Sequence, residues 1–174
     1  MRTFIAVCLP PEVKKALAAA QDAMRAAGAK GNFTRAENLH LTLVFLGEVE
    51  PARLAAVRSA MDGVERAAFD AVLDRLGRFS RPGGDIQWAG LAPNAALDAL
   101  QLDLTQKLAA EGFALETRTF TPHLTLAREL RLPPDFAYAL PKLPIPVRKL
   151  SLMESRRMDG RLVYTERYVR RLSE

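Results

Sequence analysis

The chain has two histidines, and they sit in identical settings: His40-Leu41-Thr42-Leu43 and His123-Leu124-Thr125-Leu126. Side chains alternate across a β-strand, so each histidine shares a face with its threonine while the leucines point the other way. Leucines turned into a core would leave both His-Thr pairs on the opposite, accessible face. Two imidazoles around one phosphate can divide the hydrolysis of a cyclic ester. A neutral ring takes a proton from attacking water, and a protonated ring gives one to the departing ribose oxygen. The threonine hydroxyls would donate hydrogen bonds to the non-bridging phosphate oxygens, where negative charge grows. A lone histidine on an apolar strand is more often a hydrogen-bonded core or edge residue. Repetition of the whole tetrapeptide around the only two histidines favours chemistry. A metal centre is the rival use of imidazole. Catalytic zinc usually takes three protein ligands, and no cysteine, histidine or carboxylate stands at a ligand spacing near either tetrapeptide. No metal and no cofactor is therefore expected.

The elements that must carry these residues follow from periodicity. Residues 3–9 read as a buried strand closed by Pro10-Pro11, where proline suits the first turn of a helix. Val13, Leu17, Ala20 and Met24 then mark one helical face, which Gly28 ends. Leu39 to Leu46 reads as a second strand. A helix from about Pro51 carries Leu54, Val57, Met61 and Val64 on one side, and Phe69 to Phe79 reads as a further strand. After the breaking residues Arg81-Pro82-Gly83-Gly84 the order restarts. Ile86 to Pro93 repeats the pattern of apolar strand, leucine and proline. Leu97, Leu100, Leu104 and Leu108 define the next helix, ending near Gly112, and Leu124 and Leu126 a strand.

The interval between the two histidines is almost that between Leu9 and Leu91, the leucines ahead of the prolines. A duplicated strand-helix-strand unit, at about 3–46 and 86–128, accounts for the agreement. Val147 to Ser155 and Arg161 to Leu172 form a hairpin about Asp159-Gly160, with Tyr164, Glu166 and Tyr168 on one face. Pro133-Pro134, Pro141, Pro144 and Pro146 mark a surface loop. The fold class expected is α+β: one domain over residues 1–174, with two pseudo-symmetric lobes.

At 174 residues and 49% hydrophobic side chains the chain can bury one sizeable core. Against 20 acidic residues stand 25 basic ones, a formal charge of +5 with a pI near 9.7. That balance favours anionic partners or a generally solvated basic surface. Cys8, the single cysteine, sits in an apolar run and reads as a buried, inert thiol. No signal-peptide pattern and no stretch of membrane-spanning length is seen, so a cytoplasmic, membrane-free protein is expected.

The motifs Arg2-Thr3-Phe4-Ile5-Ala6-Val7, Glu37 through Gly47, and Phe120 through Arg128 together resemble the two-histidine (2H) phosphoesterase superfamily. Within it they are similar to the bacterial and archaeal RNA 2′,3′-cyclic phosphodiesterases, formerly called 2′-5′ RNA ligases. Phe79 to Gly90 and Glu154 through Tyr164 extend the likeness to nearly the whole chain. The resemblance implies a bilobal 2H fold of antiparallel-rich sheets with outer helices and a central cleft. It also implies hydrolysis of a terminal 2′,3′-cyclic phosphate to a 2′-phosphate, with His40 as proton donor and His123 as acceptor. Residue chemistry alone leaves those two directions open. Phe33 stands where relatives often carry tryptophan, so no base-stacking role is carried over to it.

Thr42, Thr125 and Arg128 are the candidate phosphate ligands, the last through a bidentate guanidinium or else as a plain solvated strand-end residue. Phe45 and Trp88 can stack on a base or belong to the core, and Tyr164 can reach phosphate or ribose or serve structure. Arg156, Arg157, Arg161, Arg167, Arg170 and Arg171 make the last hairpin basic, which can guide an RNA backbone or simply blunt an edge. The partner expected is RNA with a cyclic phosphate end, or a small cyclic nucleotide, bound by a monomer that needs no protein partner. Joining of RNA ends through a 2′-5′ linkage and non-catalytic binding of RNA ends are the alternatives.

Overall fold

A computed structural model describes residues 1–174. Its first strand, β1 (Arg2–Cys8), passes through Pro10 into α1 (Pro11–Ala26), which begins on a proline whose missing N–H costs nothing at that position. Gly28, at φ 89°, ends it. A short strand β2 (Lys30–Phe33) and a 3-10 turn at Ala36–Asn38 lead into β3 (His40–Glu48). The helix read from Pro51 splits: Pro51–Arg53 is a 3-10 turn and α2 spans Leu54–Asp62. Strands β4 (Phe69–Phe79) and β5 (Asp85–Leu91) follow. Next comes α3 (Ala95–Ala110), capped by Asn94, whose side chain accepts from Leu97 N–H at 2.9 Å. The chain closes with β6 (His123–Arg131), β7 (Pro144–Val147), β8 (Lys149–Met158) and β9 (Arg161–Arg171).

Two antiparallel sheets result, in the orders β3-β1-β8-β9 and β2-β6-β5-β4-β7. Apart from β2, the orders correspond strand for strand, with β3 matching β6 and β1 matching β5. Strand β2 belongs to the first half of the chain yet pairs with β6 of the second sheet, and β7 runs almost directly into β8. These crossings tie the lobes together. One hydrophobic cluster includes Leu17 of α1, Met61 of α2, Leu104 of α3 and strand residues of both sheets. A fully buried leucine contributes about 2 kcal/mol by leaving water.

Three differences from the sequence reading have physical causes. Strand β2 carries no apolar alternation, because it is a short edge whose Gly31 passes so close to β6 that an added Cβ would lie 2.9 Å from Leu130 Cα. Pro144 and Pro146, read as part of a loop, lie in strand β7. It pairs on one side only, where proline is tolerated. In the last hairpin, Leu152 faces Tyr168 but Met153 faces Glu166, so Arg167 is an extra residue that switches the faces. Tyr164 and Glu166 therefore share a face that Tyr168 does not. Tyr168 turns to α2 instead and donates to Asp62 at 2.5 Å.

Candidate active site

His40 opens β3 and His123 opens β6, and these two strands approach one another where the lobes meet. Leu41, Leu43, Leu124 and Leu126 are buried, while both histidines and both threonines remain partly exposed on the other face. His40 Nδ1 lies 2.6 Å from the carbonyl oxygen of Asn38, and His123 Nδ1 lies 2.7 Å from that of Thr121. A carbonyl only accepts, so in each ring Nδ1 carries the hydrogen and Nε2 is left as the working nitrogen. Each ring is thus oriented by the backbone two residues before it. In the first copy Asn38 is itself pinned, donating from Nδ2 to Leu162 O of β9 at 3.0 Å.

The surroundings of the two rings differ. His40 stacks on Phe4 with centroids 4.7 Å apart and meets Tyr164 edge-on at 5.1 Å, while its Nε2 is 2.9 Å from Thr42 Oγ1. Burial against these groups pushes its pKa down to about 4, with the Asn38 hydrogen bond opposing and the Lys14 charge adding to the fall. At neutral pH this imidazole is uncharged. His123 meets Phe79 edge-on at 5.4 Å, with the Trp88 ring 6.4 Å away. Trp88 lies flat over Gly77, where an added Cβ would fall 2.2 Å from the indole. The ring remains partly exposed.

Strict alternation would turn Phe45 and Arg128, each five residues after a histidine, toward the core. Two bulges prevent that. In the pairing of β3 with β1, Thr42 faces Ala6 and Val44 faces Ile5, so Leu43 is skipped. In the pairing of β6 with β5, Thr125 faces Trp88 and Ala127 faces Gln87, so Leu126 is skipped. Each extra residue reverses the faces beyond it. Phe45 consequently stacks on Phe4 at 5.7 Å and is half exposed, with the Arg2 guanidinium 5.8 Å from its ring. Arg128 comes within reach of Tyr164: burial raises the phenol's pKa, and the charges of Arg128 and Arg2 counter it. Arg128 of β6 and Tyr164 of β9 thus belong to different sheets, yet the charge of one acts on the other.

Sequence reasoning missed Arg2 and Phe4 as site residues, although both lie in the opening motif. It also misread Cys8, which is exposed rather than buried and faces His40 across the β1–β3 ladder. Its run is apolar because Ile5 and Val7 face the core, while Cys8 stands at the strand end. Among the hairpin arginines, Arg167 is engaged by the buried Glu154, and Arg170 donates to Val64 O at 2.9 Å. Phe33 is covered by the Arg25 guanidinium at 4.3 Å. No three His, Cys, Asp or Glu side chains cluster as a metal site would require, and no helix is long and apolar enough to cross a membrane.

Two lobes, each opening its histidine strand with a His-Leu-Thr-Leu motif whose histidine and threonine are partly exposed opposite buried leucines, form a two-histidine phosphoesterase fold. The LigT-like phosphoesterase family matches residues 7–85 and 90–164, and the chain belongs to that family, among the RNA 2′,3′-cyclic phosphodiesterases. The enzyme of that name from Escherichia coli is 30% identical over 172 residues, spanning 94% of this chain and 92% of that one. Its counterpart from Geobacillus stearothermophilus is 36% identical over 129 residues, or 72% of this chain, and the match spans 41% of that protein's length. The crystal structure of E. coli LigT with 3′-AMP has a TM-score of 0.85 at 28% identity, covering 99% of this chain and 98% of that one. A Thermus thermophilus structure reaches 0.77 at 31% identity, covering 97% and 96%.

Proposed function

We propose that this chain hydrolyses a 2′,3′-cyclic phosphate at an RNA end to a 2′-phosphate, using imidazoles and no metal. The observation that carries this reading is the matched preparation of His40 and His123. In both, a backbone carbonyl fixes Nδ1–H, and Nε2 is left free for chemistry; that of His40 lies 2.9 Å from Thr42 Oγ1. Water attacks phosphorus and gives its proton to His123 Nε2. The bond from phosphorus to the ribose 3′ oxygen breaks, and His40 Nε2 delivers a proton to that oxygen. Thr42, Thr125 and Arg128 hold the non-bridging oxygens. Since burial keeps His40 neutral, His40 takes up its proton with the anionic substrate, whose charge favours the imidazolium.

The same burial supports a second reading in which His40 is the base and His123 the acid. A cyclic substrate with sulfur at the 3′ bridging position separates them, because a thiolate leaves without needing a proton. Hydrolysis of that analogue should survive His40→Ala and fail in His123→Ala; the reverse outcome reverses the roles. The decisive assay for the function supplies an oligonucleotide with a 2′,3′-cyclic phosphate end in excess chelator and identifies the hydroxyl that keeps the phosphate. A 3′-phosphate product, or no turnover, refutes the proposal. A 5′-hydroxyl end included in the same mixture reports joining, and binding without release of product would identify an RNA-end binding module. The neighbours bind mononucleotides, 3′-AMP and ATP among them, so a small cyclic nucleotide is the second substrate to supply. The chain is proposed to work as a monomer in the cytoplasm.

A further inference from the structure

The bulges at Leu43 and Leu126 aim Phe45 and Arg128, and each bulge has a carbonyl held from outside its own sheet. Gln101, on the helix that leaves the second sheet, donates from Nε2 to Leu43 O at 3.3 Å. Gln21, on the helix that leaves the first sheet, donates to Leu126 O at 2.9 Å and to Thr34 O at 2.8 Å. The exchange is reciprocal: each lobe's helix grips the histidine strand of the other lobe, three residues past the histidine. Gln21 is buried on the apolar face of α1, among Leu17, Ala20 and Met24. A polar residue is retained there only at a cost unless its hydrogen bonds repay it.

We infer that Gln21 and Gln101 are positioning residues for the proposed site. They hold the bulged carbonyls, the bulges keep Arg128 and Phe45 on the cleft face, and the substrate's phosphate and base are met there. A bulge leaves its extra residue outside the regular ladder; Leu126 O also accepts from Thr34 N–H at 2.9 Å, so Gln21 is the donor that ties this carbonyl to α1, and removing either glutamine frees its strand to slip toward strict alternation. That slip would send Arg128 or Phe45 toward the core face and leave His40, His123 and their threonines where they are. The inference rests on the phosphoesterase reading for its consequence, but the positioning itself can be measured without turnover.

The experiment uses Gln21→Met and Gln101→Met, which keep side-chain length and remove the donor. The probe is a nucleoside 2′-monophosphate, and each glutamine variant is compared with Arg128→Ala or Phe45→Ala and with the double variant. Gln21→Met should weaken binding about tenfold, and combined with Arg128→Ala it should add little to the loss from Arg128→Ala alone. Gln101→Met should pair with Phe45→Ala in the same way. A purely structural glutamine would lower thermal stability and give additive losses of affinity, which overturns the inference. Ring signals of 13C-labelled Tyr164 provide a ligand-free measure. They should shift in Gln21→Met as they do in Arg128→Ala, and an unmoved signal also overturns it. Gln101 is partly exposed with one bond at stake, so its variant folds even if that of Gln21 does not. Failure to hydrolyse cyclic phosphates would sink the proposed function and leave both of these measurements intact.

Discussion

Burial of His40 makes stability depend on pH in a way that one substitution should remove. In the unfolded chain this imidazole has its ordinary pKa of 6.5, while in the folded site it lies at about 4. As pH falls below 6.5 the unfolded state binds a proton that the folded state refuses, so the unfolded state is favoured. Stability is therefore fully present above pH 6.5 and is lost as pH falls toward 4, below which no more is lost. The whole interval corresponds to about 3 kcal/mol, and at pH 5 the loss from this group is about 2 kcal/mol. Urea unfolding of the wild type and of His40→Gln at pH 7 and pH 5 isolates the effect, because all other titrating groups are shared. The wild type should lose about 2 kcal/mol more than the variant between the two pH values. Equal losses would refute the burial argument. Saturating phosphate-bearing ligand should shrink the difference, since an anion beside Nε2 favours the charged ring.

Replacing either histidine by alanine should reduce kcat by about 10² to 10⁴ or more while the affinity for a 2′-monophosphate changes far less, measured by steady-state kinetics and calorimetry. Gly77→Ala forces a methyl into the Trp88 ring. Thermal unfolding should show a cost of about 1–3 kcal/mol, and the emission of the only tryptophan should change as it tilts toward His123. Arg167→Ala strips the buried Glu154 of its partner. About 3 kcal/mol of stability should go, with little change in affinity for a short RNA, which reverses the order expected of a backbone-guiding arginine.

How much of this was legible follows from what alternation can encode. The pairs His40 with Thr42 and His123 with Thr125 lie before each bulge, where strict parity holds, so their shared face could be read directly from the letters. Phe45 and Arg128 lie beyond the bulges, and parity alone assigns them to the wrong face. Tyr168 lies beyond the bulge at Arg167 and fails in the same way. A bulge leaves no mark in composition, because the extra residue in each histidine strand is a leucine like the one two positions before it. It does leave one in the repeat: Phe45 and Arg128 stand at the same distance after their histidines. A pair of large, non-core side chains at matched wrong-parity positions is hard to reconcile with two regular strands. Gln21 and Gln101 carry a fainter mark: Gln21 stands on the apolar face of its helix with Leu17, Ala20 and Met24, and Gln101 at a roughly equivalent place in the second unit. The fold hides such positions from any reading of one lobe at a time, because the donor lies in one half of the chain and the carbonyl that needs it in the other.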